Sequence, residues 1–249
     1  MFVPVRQDAE ARCLYGSGQW MGLLCGLFAL TALAVGFAHG ARAHSLDDVN
    51  AMLQSDEKYF QQIDKPMPDF TLRAADGRVV RPADFAGKVV VLHFIYTSCP
   101  DVCPLHAEKI AEVQKMVNST PMKDRVVFIS ITTDPRKDTP DVLKAYGPTH
   151  GLDPANWLFL TIAPDQPEDT TRKLAEAFGH KFTLTGDGYQ MHGIVTHVID
   201  REGRWRANLH GMDFQPINLV TFVNALTNNV ERPHTEPEEG WLAKLKSFL

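Results

Sequence analysis

Cysteine is scarce in this chain. Four occur in 249 residues, and Cys13 and Cys25 lie within or just before an uncharged apolar run near the amino terminus. The rest of the chain carries only Cys99 and Cys103, too few for a disulfide scaffold in a domain of ordinary size, which needs none. Low-complexity tracts and internal repeats are missing, so solenoid and fibrous architectures are excluded. A basic surplus is missing as well. The net charge is −5 and residues 1–43 are slightly basic, with Arg6, Arg12 and Arg42 against Asp8 and Glu10, so the remainder is more acidic still. No surface for nucleic acid is implied.

What is there fits one globular domain with appendages. From Trp20 to Ala38 the chain has no charge; Arg6 and Arg12 precede this run and Ala41-Arg42-Ala43, an A-x-A cleavage pattern, follows it. Residues 1–43 therefore read as an export signal. The apolar core is long for a signal and just sufficient to cross a bilayer, so an uncleaved single-span anchor competes with cleavage. Either way the flanking arginines leave the domain outside the cytoplasm, on the periplasmic side of an inner membrane.

Residues 44–65 read as a linker, polar and amphipathic from Ser45 to Ile63. Phe70-Thr71-Leu72 and Val79-Val80, separated by Asp76-Gly77, signal a hairpin. Val89 to Tyr96 is a β-branched and aromatic strand, and a helix is expected from about Pro100–Pro104 to Val117. Further strands are expected at Val126–Thr132, Trp157–Thr161, Val195–Ile199 and Arg204–Leu209, with helices toward Tyr146, over Pro167–Phe178 and over Pro216–Leu226. Thr183 to Gln190 reads as a loop. This order implies a central mixed sheet with helices on both faces, a thioredoxin-like (peroxiredoxin-like) α/β domain over residues 66–230 with an added N-terminal β-hairpin. Residues 231–249 form an acidic, proline-containing linker and a short amphipathic segment with Trp241, Leu242, Leu245, Phe248 and Leu249 at helical spacing.

The chemistry concentrates where the Val89–Tyr96 strand hands over to a helix, at Cys99-Pro100-Asp101-Val102-Cys103-Pro104. Residues four apart on a helix share a face, so both sulfurs could hold one ion or close a disulfide. A helix N-terminus favours the thiolate, the form that attacks disulfides and ligates metals. The pair alone therefore serves redox work and metal binding equally well.

At this point the sequence resembles the Sco/SenC family of cytochrome c oxidase assembly proteins. The resemblance covers roughly Pro66 to Asn228. It rests on Tyr96-Thr97-Ser98-Cys99-Pro100-Asp101-Val102-Cys103-Pro104, on Ser130-Ile131-Thr132-Thr133-Asp134-Pro135-Arg136-Lys137-Asp138-Thr139-Pro140, and on Met191-His192-Gly193-Ile194-Val195 followed by Asp200-Arg201-Glu202-Gly203. It implies an exported or membrane-tethered copper metallochaperone whose ligands would be Cys99, Cys103 and His192, carrying Cu(I) or Cu(II). Asp134 would be a supporting or partner-docking residue. The implied partner is the copper-site subunit of a respiratory oxidase, to which the protein delivers copper or whose cysteines it reduces, with another copper chaperone as a candidate donor. The family usually has Asp before the histidine, where this chain has Met191. Two thiolates and an imidazole suit copper, whereas zinc would prefer a fourth protein ligand, for which no candidate stands out. Oxidation of Cys99 and Cys103 to a disulfide would release the metal.

The other histidines read differently. His93 and His197 lie inside strands and are expected in the core; His106, three residues after Cys103, could lean toward a metal; His150, His180, His210 and His234 read as surface or turn residues. A periplasmic thiol-disulfide oxidoreductase, or a redox or copper sensor, would use the same cysteine pair. General disulfide reductases have two residues between their cysteines and a cis-proline nearby. Here three residues intervene, and no proline occurs between Glu168 and Gln215.

Overall fold

The computed structural model describes residues 46–100, 102–185 and 188–228, with only the backbone described over 184–185 and 188–192. The expected export segment and the tail after Glu231 lie outside the described residues. Among the described residues, no helix is long and apolar enough to cross a membrane.

The chain opens with α1 (Leu46–Asp56) and β1 (Phe60–Pro66), then β2 (Leu72–Ala74) and β3 (Val79–Val80), the expected hairpin. Next come β4 (Val89–Ile95), α2 (Val102–Asn118), β5 (Val126–Thr132), α3 (Pro140–Thr149), β6 (Trp157–Thr161) and α4 (Thr170–Ala177). The last elements are β7 (Lys181–Thr185), β8 (Gly188–His192), β9 (Val195–Ile199), β10 (Arg204–His210) and α5 (Pro216–Asn228). Among the described residues, eight strands form a mixed sheet in the order β1-β10-β9-β4-β5-β6-β2-β3, and β7 and β8 pair separately. The pairs β4–β5 and β5–β6 are parallel, and β4–β9 is antiparallel.

Every residue of β4 and β5 is buried, as their unbroken apolar runs require of strands covered on both faces. Side-chain alternation divides the core. Val89, Val91 and Ile95 pack with Ala107, Ile110, Val113 and Val117 of α2 and with Leu219 and Phe222 of α5. On the other face, Val90, Leu92 and Phe94 pack with Leu174 of α4, Phe178 and Trp205. Each such buried aliphatic or aromatic side chain contributes about 1.5–3 kcal/mol relative to exposure. The mixed sheet with helices on both faces is the expected thioredoxin-like arrangement.

Two segments differ from the sequence reading. Of residues 44–65, expected as linker, the described part, 46–65, belongs to the fold. Val49 and Leu53 of α1 are buried, and β1 pairs antiparallel with β10 along Phe60↔Leu209 to Pro66↔Arg204. Glu57 ties this segment to α5. Its carboxylate accepts the backbone N–H of Gln215 and the side-chain amide of Asn218, both at 2.7 Å, satisfying a donor that α5 leaves free at its start. Thr183 to Gln190, expected as loop, is most of the β7–β8 hairpin. Its ladder runs from Lys181↔His192 to Thr185↔Gly188. The alternation Phe182-Thr183-Leu184-Thr185 ahead of Asp187-Gly188 is the signal that could have revealed it.

Candidate metal centre

β4 ends at Ile95, whose carbonyl accepts the N–H and the hydroxyl of Thr133 at 2.8 and 3.2 Å. The chain then turns, with Cys99 donating its N–H to the Tyr96 carbonyl at 3.1 Å. α2 starts only at Val102, so Cys99 precedes the helix and Cys103 sits in its first turn. The two sulfurs are therefore not on one helical face as the spacing suggests. Cys103 instead donates its backbone N–H to the Cys99 sulfur at 3.4 Å, so Cys99 serves as a sulfur acceptor for one of the otherwise unpartnered helix-start donors. Neither cysteine is in a disulfide, and they are 5% and 6% exposed.

The electrostatics also differ from expectation. Burial pushes the Cys103 thiol up to about 12, against a hydrogen bond with the Tyr96 backbone that favours the thiolate. A helix start lowers a thiol pKa only while the sulfur keeps some solvation, and here desolvation is the larger effect. The hydroxyl of Tyr96 hydrogen-bonds to Cys99, and this contact, with burial, holds its proton well above the ordinary tyrosine range. A thiophilic cation arriving at this pair displaces protons and supplies the compensating charge.

Tyr96 also lines a cleft of about 320 Å³ with Asp134, Arg136, Lys137, Glu168, Arg172 and Phe182. Asp134 stands there, paired with Lys137 at 3.7 Å. Among the described residues, no hydrogen bond of its side chain reaches the cysteine turn. The acid that does reach it is Asp138, fully buried, which the sequence reading passed over inside its own motif. Thr97 donates its N–H to both oxygens of Asp138 at 3.3 and 3.1 Å and its hydroxyl to Oδ1, while the Thr132 hydroxyl donates to Oδ2.

His192 ends β8, directly opposite Lys181, and is followed by Gly193 at φ 87°, a conformation that glycine adopts without strain. Phe182, on the next rung of that hairpin, shares the cleft with Tyr96, so the hairpin carrying His192 borders the cysteine turn. The His192 side chain lies outside the described part. Among the described side chains, no group of three or more His, Cys, Asp or Glu converges as a metal-ligand set.

Four of the remaining histidines form two buried pairs. On the α2 face, His93 bonds the Ser130 hydroxyl at 2.6 Å, His106 bonds the Thr196 hydroxyl at 2.8 Å, and the two rings lie 4.8 Å apart. His106 therefore turns into the core, away from the role considered for it. On the α4 face stand His180 and His197, with Nε2 atoms 2.8 Å apart. His180 is 5% exposed, not a surface residue. His150 is partly exposed beside Glu108, and His234 lies outside the described residues.

The protons of the second pair follow from one donor. Trp205 Nε1, which can only donate, reaches Asn208 Oδ1 at 2.9 Å. That oxygen also lies 2.6 Å from His197 Nδ1, which must then carry hydrogen. A neutral His197 offers its Nε2 lone pair, so His180 donates from Nε2 and keeps Nδ1 bare. Among the described residues, that buried Nδ1 has no hydrogen-bond partner. Burial, with smaller help from neighbouring imidazoles, lowers all four: His93 to about 3, His180 to about 4, His106 and His197 well below the usual value.

Comparison with known proteins now adds to this geometry. A family profile described as SCO1/SenC matches residues 60–227. An SCO2-like protein of Rickettsia conorii is 29% identical over 157 residues, covering 62% of this chain and 74% of the relative. A SCO1/SenC family lipoprotein from Bacillus anthracis has a crystal structure that superimposes with TM-score 0.60 at 25% identity, over 67% of this chain and 97% of that one. The structure of Bradyrhizobium japonicum ScoI with copper bound gives TM-score 0.53 at 27% identity, over 65% of this chain and 99% of that one. The matched region runs from the first residue of β1 to the last turn of α5 and encloses the buried cysteine pair. This chain belongs to the SCO1/SenC family.

Proposed function

We propose that this protein is an exported copper metallochaperone that holds one copper ion through Cys99, Cys103 and His192 and delivers it to the binuclear copper site of a respiratory oxidase, or reduces that site's cysteines. The observation that carries the reading is the pair of buried thiols, not joined in a disulfide, at the β4–α2 junction, with Cys103 N–H on the Cys99 sulfur. Two soft donors, shielded from water and bordered by the hairpin that bears His192, suit copper. Copper bound to the Bradyrhizobium japonicum relative supports the same reading.

Cys99 and Cys103 would supply the sulfurs and His192 the imidazole. Asp134, facing the cleft beside Tyr96, would meet the partner rather than the metal. Donor chaperone and recipient subunit would approach this same face from the periplasmic side, with residues 1–43 exporting or tethering the domain. Because both thiols must lose protons to bind metal, loading releases protons, and disulfide formation between them ejects the ion.

The test is copper titration of the reduced protein against Cys99→Ala, Cys103→Ala and His192→Ala. Wild type should bind one equivalent and each cysteine variant should lose tight binding. His192→Ala should change the Cu(II) charge-transfer spectrum. An unchanged spectrum and affinity in His192→Ala would remove that ligand; reduced wild type that binds no copper yet rapidly reduces a target disulfide would favour an oxidoreductase.

A further inference from the structure

We propose that Asp138 is the positioning residue of the cysteine pair: through Thr97 its carboxylate fixes the turn from which Cys99 meets Cys103. This rests on the reading of Cys99 and Cys103 as the working pair.

Asp138 has no solvent exposure, and among the described residues no cation pairs with it. An acid in that setting is costly to fold unless hydrogen-bond donors surround it. Among the described residues, its side-chain oxygens take donors from two places. Thr132, the last residue of β5, gives one hydroxyl; Thr97, two residues ahead of Cys99, gives both its backbone N–H and its hydroxyl. Two of these three donors therefore belong to the cysteine turn.

Asp138 itself is held on both sides along the chain. Its N–H is donated to the Asp134 carbonyl at 2.9 Å. The residue after it, Thr139, caps α3, its hydroxyl accepting from the Val142 N–H at 3.4 Å, with Pro140 starting the helix. The acid thus joins a frame made by the end of β5 and the start of α3 to the cysteine turn. That turn is also held by the Cys99 N–H on the Tyr96 carbonyl, by the Cys103 N–H on the Cys99 sulfur, and by contacts of the Tyr96 hydroxyl with Cys99 and of the Tyr96 backbone with the Cys103 sulfur, but Asp138 is what ties it to β5 and α3. Releasing Thr97 lets Tyr96-Thr97-Ser98 drift and shifts one sulfur against the other. Small displacements of reacting groups carry large rate and equilibrium effects.

The experiment measures, in the metal-free full chain, the equilibrium of the Cys99–Cys103 disulfide with dithiothreitol. Two electrons and two protons pass from the reagent, which closes to its cyclic disulfide, to the Cys99–Cys103 disulfide, which opens to two thiols. Circular dichroism establishes that each variant is folded. Asp138→Asn and Thr97→Val should each shift the equilibrium toward the dithiol by about tenfold, because the sulfurs are less well aligned. Thr97→Ser, which keeps the hydroxyl, should restore the wild-type value, and Asp141→Asn, which removes a surface carboxylate, should leave it unchanged. If Asp138→Asn does not fold, Thr97→Val against Thr97→Ser decides. The proposal is overturned if Thr97→Val matches wild type, or if folded Asp138→Asn does so. No copper enters the measurement, so a wild type that binds no copper would defeat the chaperone reading and leave this result standing.

Discussion

The backbone N–H of Cys103 points at the sulfur of Cys99, 3.4 Å away. Each cysteine thereby has a structural position of its own before any metal arrives: Cys99 closes the start of α2, and Cys103 is held inside its first turn. The two thiols are not equivalent.

Their replacement should separate them. Cys99→Ala removes the acceptor of a helix-start N–H, a loss of about 0.5–2 kcal/mol, whereas Cys103→Ala removes only a buried thiol and keeps that N–H. Urea denaturation of the metal-free, reduced protein should show Cys99→Ala to be the less stable variant. Equal midpoints would mean that the sulfur contact contributes nothing.

Acid should destabilise the fold through its histidines. In the unfolded chain all four buried imidazoles take protons near pH 6.5. In the fold His93 resists protonation to about pH 3 and His180 to about pH 4, with His106 and His197 also lowered. The unfolded state therefore binds more protons below pH 6.5. Stability is full above that pH and falls as pH drops toward 4 and then 3, at up to about 1.4 kcal/mol per pH unit for each histidine. Denaturation midpoints measured from pH 7.5 to 4.5 should decline over that interval. His93→Gln should flatten the decline, and a slope unchanged by that replacement would exclude His93 from it.

Imidazole nitrogen shifts can read the proton chain directly. Wild type should show His197 with hydrogen on Nδ1 and His180 with hydrogen on Nε2, because Trp205 fixes Asn208 and Asn208 fixes both rings. Trp205→Phe removes the donor that orients the amide and should give mixed tautomers at His197. A single unchanged tautomer in that variant would place the determinant elsewhere.

The place of residues 46–66 in the domain is testable through Glu57. Glu57→Ala leaves the Gln215 N–H and the Asn218 amide without their 2.7 Å acceptor, a loss of about 1–3 kcal/mol for partly buried donors. A chain beginning at Pro66 should lose more, since it also uncovers the β10 edge and the pocket filled by Val49 and Leu53. Thermal denaturation at equal midpoints for wild type and Glu57→Ala would return the segment to the standing of a tether.

Several features were legible in the residues alone. The unbroken apolar runs Val89–Ile95 and Val126–Thr132 can only be strands buried on both faces, and the sheet between helices follows from them. The cysteines were legible because Cys99 and Cys103 stand at a strand-to-helix boundary with no others nearby. Glu57 and the α1–β1 segment were not. Their role depends on Gln215 and Asn218, about 160 positions later, and no local pattern announces such a cap. Asp138 was missed for the same reason, since its partner Thr97 lies 41 residues earlier.

Sequence by itself thus determined which chemistry is available: two thiols at one junction, a distal histidine, and an acidic chain with no basic surplus. Periodicity and residue type are local properties, and local properties suffice for strands, helices and donor atoms. Tertiary structure alone decided how those thiols stand. It moved Cys99 off the helix, raised Cys103 by burial, turned His106 and His180 into the core and set Asp138 rather than Asp134 against the cysteine turn. Desolvation and hydrogen-bond pairing depend on which distant segments close around a group, and the folded packing is what supplies them.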